Sequence, residues 1–216
     1  MKDHASRARA ELDKLFEIYL AREAQLPPDE WCEAHIRLSH RQSVASGAYS
    51  LDRTPYLRQI YKDAVDPRVR SVAIMKSAQI GYSQLLSNLC FYFVCNKTNP
   101  IGIIFPSQAL SQQWSERNLH AGLEGCKPIE KFITGRIDDI RRSEFTFKSC
   151  NLKVIGGGSA NKLSSNNICY LFIDEVDKME SFLNEANVVE LAIDRTISYQ
   201  ESGAAMILMG STPTLK

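Results

Sequence analysis

From Ser71 onward the chain alternates short apolar runs with helix-like segments, and this alternation restricts the fold more than any other feature. "SVAIM" (71–75), "IGIIF" (101–105), "ICYLFI" (168–173) and "AAMILM" (204–209) are too short for helices and too apolar for loops, so they read as buried strands. Between them lie "YSQLLSNLCFYFVCN" (82–96), "SQALSQQWSERNLHAGLE" (107–124) and "NEANVVELAIDRTISY" (184–199), each long enough for a helix. Leu110, Trp114 and Leu119 are expected on the inner side of the second. "EFTFK" and "LKVIGG" (144–148, 152–157) read as a hairpin around "SCN". Strands that alternate with helices predict an α/β fold, with a mostly parallel sheet covered on both faces.

Upstream the pattern changes. Residues 5–24 are rich in Ala, Leu, Glu, Arg and Lys, with Leu12, Leu15, Phe16, Tyr19 and Leu20 at helical spacing. The tandem prolines of "LPPDEW" end that helix. An N-terminal helical extension is therefore expected over residues 1–45 and the α/β domain over residues 46–216. "TPYLRQIYKDAV" predicts a helix starting near Pro55, with Thr54 as its cap. The formal net charge is only +1, so any contact with nucleic acid needs a local patch or partner subunits. The six cysteines show neither C-x-x-C nor zinc spacing and read as buried, reduced thiols. The charged N-terminus lacks an apolar signal core and no run approaches a membrane span, so a cytoplasmic protein without membrane attachment is expected.

Three predicted strand ends carry residues suited to chemistry. "MKSAQIGYS" follows the first strand and opens a helix, where free backbone N–H groups and the helix dipole favour a phosphate. The usual pattern G-x-x-x-x-G-K-[ST] is altered: Lys76 stands at the first glycine position and Tyr82 at the lysine position. Lys76, on a long flexible stem, can still reach the phosphates, and the Ser83 hydroxyl can serve Mg²⁺. The loop Lys76, Ser77, Ala78, Gln79, Ile80, Gly81, Tyr82 and Ser83 is thus a nucleotide-binding candidate. Taken alone it also reads as a plain strand–turn–helix, and Tyr82 carries no expectation of phosphate contact.

The second strand end is "CYLFIDEVD", where buried apolar residues run into Asp174 and Glu175. Adjacent carboxylates there are costly unless they serve a cation or a polar network, although an acidic, solvated helix start gives the same pattern. In a nucleotide hydrolase the first would hold Mg²⁺ and the second would activate water. The third is "AAMILMGSTPT", whose Gly210, Ser211 and Thr212 end a buried strand and can sense a terminal phosphate or simply form a turn. Because all three fall at the carboxyl ends of parallel strands, they converge on one edge of the sheet.

"KSAQIGYS", "LFIDEVD" and "GSTPT", in that order, resemble the GpA-type large subunit of tailed-phage terminase, the ATPase that drives DNA into the capsid. "FPSQALSQQWSERNL" and "GGGSANKLSSNNICYLFIDEVD" fit that family's layout between the motifs. The resemblance covers about Trp31 to Lys216 and implies a three-layer P-loop NTPase of the additional-strand, RecA-like type. It implies ATP as substrate with Mg²⁺ held by Ser83 and Asp174, Glu175 as catalytic base, and Gly210, Ser211 and Thr212 as a coupling segment. An adenine contact is implied upstream, from Tyr49, Tyr56 or Gln59. An arginine acting in cis or trans is implied too, with Arg195 the choice and Arg141 and Arg142 the alternatives. The implied partners are double-stranded DNA, a portal protein, a small terminase subunit and further copies in a ring, in the bacterial host cytoplasm. Lys153, Lys162 and the Arg136–Arg142 cluster are candidates for gripping DNA phosphates, or else a solvated face. The family's nuclease domain is not expected in this chain. A helicase-like translocase, or a truncated prophage product that binds nucleotide without turnover, is the alternative.

Overall fold

The computed structural model describes residues 26–43, 46–157, 167–179 and 187–213, together with Arg9. The helix expected over residues 5–24, apart from Arg9, residues 184–186 of the third expected helix, and Lys162 lie outside the described residues.

Two short strands, β1 (Arg37–Leu38) and β2 (Gly47–Ala48), pair antiparallel and precede the main sheet. That sheet is built from β3 (Ser71–Met75), β4 (Ile101–Phe105), β5 (Glu144–Thr146), β6 (Asn151–Gly156), β7 (Tyr170–Asp174) and β8 (Met206–Ser211). The spatial order is β3-β8-β7-β4-β6-β5. All neighbours are parallel except β5 and β6, the expected hairpin. The last strand among the described residues, β8, is thus inserted between β3 and β7. This insertion is what the additional-strand type of P-loop NTPase requires.

The register brings the three motif-bearing ends to one level. Met75 lies opposite Ser211, and Asp174 lies opposite Gly210. The Lys76 backbone N–H donates to the Ser211 carbonyl at 2.9 Å, extending the ladder one residue into the loop.

One face of the sheet is covered by α1 (Pro28–His35), α2 (Leu57–Asp63), α3 (Tyr82–Asn96) and α4 (Gln108–Trp114), which share a core with β4, β6, β7 and β8. Phe93 of α3 stacks flat on Tyr170 of β7, with ring centroids 3.9 Å apart. The other face carries a smaller cluster in which Ile104, Leu171, Ile173 and Ile207 meet Val188 and Ala192 of α5 (Val188–Asp194). β3, at the edge, alternates exposed and half-buried residues, and Met75 is 82% exposed.

Several local features depart from expectation. The prolines that read as the end of a helix start another, since Pro28 at the first turn of α1 lacks an N–H that would go unpaired there anyway. Trp31, Cys32 and Ile36 enter the main core. α2 starts at Leu57, not Pro55, and the Thr54 carbonyl, not its side chain, accepts from the Leu57 N–H. α4 passes into a π-type turn over Ser115–His120, which places Trp114 and Leu119 inside on a five-residue step but leaves Leu110 44% exposed. The third expected helix breaks at Arg195–Thr196, where the Thr196 hydroxyl donates to the Ile193 carbonyl, and continues as α6 (Ile197–Glu201).

All six cysteines are free. Among the described residues no helix is long and apolar enough to cross a membrane.

Candidate active site at the carboxyl edge of the sheet

The site begins where β3 ends. Gln79 has φ of 60° and Gly81 φ of 82°, so the loop turns through two left-handed residues before α3 starts at Tyr82. Glycine takes that conformation freely, whereas glutamine does so under strain. Ser77, Ala78, Gln79 and Ser83 are exposed and Ile80 and Gly81 half-buried, while the flanking Lys76 and Tyr82 are buried.

Lys76 is 8% exposed, and its ammonium, at the end of β3, lies among acceptors from the ends of β7 and β8. It donates to Glu175 Oε1 at 2.6 Å and to Thr212 Oγ1 at 3.2 Å, and pairs with Asp174 Oδ1 at 3.2 Å. The Thr212 hydroxyl in turn donates to Glu175 Oε1 at 3.2 Å. Burial alone would lower the Lys76 pKa, but the bond to Glu175 and the charge of Asp174 outweigh it and hold the lysine above its ordinary value.

The two carboxylates are tuned in opposite directions. Asp174 is 5% exposed, and burial pushes its pKa up against the opposing charge of Lys76. Burial also acts to raise Glu175, but hydrogen bonds from Lys178 and Lys76 prevail and hold it below the ordinary range. Lys178 pairs with Glu175 Oε2 at 2.7 Å across one turn. Glu175 itself is left-handed, with φ of 56° and ψ of 51°, and its N–H donates to Asp174 Oδ1 at 2.9 Å. Next to it, the Asp177 N–H donates to Ser211 Oγ at 3.2 Å, and the Ser211 hydroxyl donates back to Asp177 Oδ1.

The structure thus brings Lys76, Asp174, Glu175, Ser211 and Thr212 together. Ser83 lies in the first turn of α3 and is exposed. A hard cation that keeps its waters and binds phosphate needs few protein oxygens, and Ser83 with Asp174 fits that demand. Tyr56 is exposed and leans on the loop, its hydroxyl donating to the Ile80 carbonyl at 3.1 Å.

Other expected residues are placed elsewhere. Tyr49 is buried beneath α3, its hydroxyl 3.0 Å from that of Tyr61, which accepts from Asn88 at 3.0 Å. It has no exposed ring face for a base. Gln59 points along its own helix and donates to Asp63 at 2.7 Å. The Arg195 carbonyl accepts from Ile168, just before β7 begins, so Arg195 lies at the opposite end of that strand from Asp174. Ile168 precedes Asp174 by six residues, which at ~3.3 Å per residue is roughly 20 Å along the strand. Arg141 and Arg142 precede β5, where Arg141 donates to the Asp138 carbonyl and Arg142 pairs with Glu116. Sequence reasoning passed over Lys178 and the bonds of Asp177. The only available signal was their place in the turn after Glu175.

The strand order and the cluster at its edge define a P-loop nucleotide hydrolase fold of the additional-strand class. Residues 43–216 match the family described as phage terminase large subunit gpA, ATPase domain, and the chain belongs to that family. It is similar to a terminase large subunit of Enterobacteria phage P21, at 20% identity over 191 residues, 87% of this chain and 29% of that protein. Its fold is similar to the crystal structure of the HK97 bacteriophage large terminase, with a TM-score of 0.65 at 8% identity over 87% of this chain and 37% of that one. The Thermus phage P74-26 large terminase ATPase domain is similar at a TM-score of 0.50 and 17% identity, over 68% of this chain and 61% of that one. The chain therefore spans about a third of the length of the P21 and HK97 proteins.

Proposed function

We propose that this chain is the ATP-hydrolysing motor domain of a large terminase subunit that moves double-stranded DNA into a procapsid. The observation that carries the reading is the meeting of Lys76, Glu175 and Thr212, one group from each of three strand ends. A lysine, a carboxylate base and a hydroxyl sensor in mutual contact are what phosphoryl transfer to water needs.

In this reading the loop Lys76–Ser83 wraps the phosphates of ATP. Phosphate oxygens take over the Lys76 ammonium, which frees Glu175 Oε1. Glu175 then accepts a proton from the water that attacks the terminal phosphorus, and the bond to the ADP oxygen breaks. Ser83 and Asp174 would hold a magnesium ion, which neutralises phosphate charge. Thr212, released from Lys76, turns toward the phosphate and moves the end of β8. Tyr56 is the adenine-side candidate, since Tyr49 has no free face. An arginine reaching the site would come from a neighbouring copy in a ring. DNA, the portal and a small subunit are the partners this reading assigns, in the host cytoplasm, and the exposed Arg136 is the grip residue it retains.

The test is binding of Mg-ATP and its turnover by the purified chain, with and without duplex DNA. Lys76→Ala should lose about 100-fold or more of turnover and Glu175→Ala at least as much. Glu175→Ala should keep nucleotide affinity. A wild-type chain that binds no Mg-ATP, or variants indistinguishable from it, would overturn the assignment.

A further inference from the structure

The loop has a tyrosine where G-x-x-x-x-G-K-[ST] has its lysine, and the proposed reaction gives that residue nothing to do. Its surroundings are nevertheless specific. Tyr82 is 3% exposed, and the Lys76 ammonium lies 5.1 Å from the centre of its ring. The same ring is pressed against β8. A side-chain carbon added at Gly210 would meet Tyr82 Cζ at 2.5 Å and its hydroxyl oxygen at 2.6 Å. The Tyr82 hydroxyl has no hydrogen-bond partner among the described residues. The ring, not the hydroxyl, is therefore what this position uses.

We propose that Tyr82 is a positioning residue whose ring holds the Lys76 ammonium in place for phosphate and, seated against Gly210, ties the loop helix to the coupling strand. This rests on the nucleotide reading of the same site.

Two physical points support it. The ammonium has three anchors that a bound phosphate must outcompete, namely Glu175, Asp174 and Thr212. An aromatic face attracts the cation without bearing charge, so it can keep the lysine in place while its partners change. Glycine inside a strand weakens it and marks close approach of another group. At Gly210 that group is the Tyr82 ring, so a shift of the first turn of α3 is felt directly by β8.

The experiment compares Mg-ATP binding, using a fluorescent ATP analogue, and thermal midpoints for Tyr82→Leu, Tyr82→Phe, Gly210→Ala and the double variant Gly210→Ala with Tyr82→Leu. Tyr82→Leu should weaken nucleotide binding about 3- to 5-fold, the scale of one cation–aromatic contact. Tyr82→Phe should restore that loss. Gly210→Ala should lower the thermal midpoint, and adding Tyr82→Leu should recover most of it without recovering affinity. Equal losses in Tyr82→Phe and Tyr82→Leu, unchanged affinity in Tyr82→Leu, or no recovery in the double variant would each overturn the proposal. If Tyr82→Leu does not fold, Tyr82→Met removes the ring face while keeping bulk. Absence of Mg-ATP binding by the wild type, or full binding by Lys76→Ala, instead overturns the nucleotide reading itself.

Discussion

Glu175 holds a left-handed backbone that costs a non-glycine residue about 1–3 kcal/mol, and two lysines hold its side chain. Lys178 contributes to keeping this carboxylate ionised, so its removal has a sign that can be worked out. A depressed folded pKa gives stability that is present above the unfolded value and lost as pH falls through the folded one. For Glu175 that window lies below the ordinary glutamate value of 4.5. Lys178→Ala should move the Glu175 midpoint back toward 4.5, as read by carboxyl NMR titration, and shift acid unfolding to higher pH. Asp177 makes a separate residue-level prediction. Asp177→Ala removes the acceptor of the Ser211 hydroxyl, and should lower DNA-stimulated turnover more than nucleotide affinity, measured on the same preparation. Lys76, Asp174 and Glu175 were readable as a group because each follows an apolar run that had to be a strand. The side-chain contact between Tyr82 and Gly210 was not readable, since it depends on β8 lying beside β3, far along the chain.

At the scale of elements, α3 carries a polar seam through its apolar surroundings. Gln84 donates to Asn88 at 2.7 Å, Asn88 donates to Tyr61 at 3.0 Å, and Tyr61 meets Tyr49. Burial pushes the Tyr49 phenol up to about 12, so the seam stays neutral across the physiological range. Asn88→Ala would remove one hydrogen-bond partner each from Tyr61 and Gln84 and should cost about 1–3 kcal/mol, measured by denaturant unfolding. The sequence marks α3 plainly, as a long apolar run after a glycine. It hides the seam, because Tyr49 and Tyr61 look like any aromatic residues until the helix that covers them is in place. The opposite error occurred at α1, where two prolines carry both a stop and a start, and at α4, where an inserted π turn shifts the helical phase past Leu110.

For the whole molecule, the net charge of +1 and the pairing of Arg142 with Glu116 leave a single copy with little field for a polyanion. An isolated copy should bind duplex weakly, with a shallow dependence of log K on log salt, and assembled copies should show a steeper slope in the same titration. The fold class was legible from alternation alone. The strand order was not, because a crossover of given length can return to either side of its strand. That order has a consequence for how signals combine. β8 shares one ladder with the strand leading to Lys76 and another with the strand leading to Glu175. In the proposed cycle its end behaves like a logical conjunction: it is free to shift only when both neighbours have changed state, so a bound nucleotide and a poised base are read as one event.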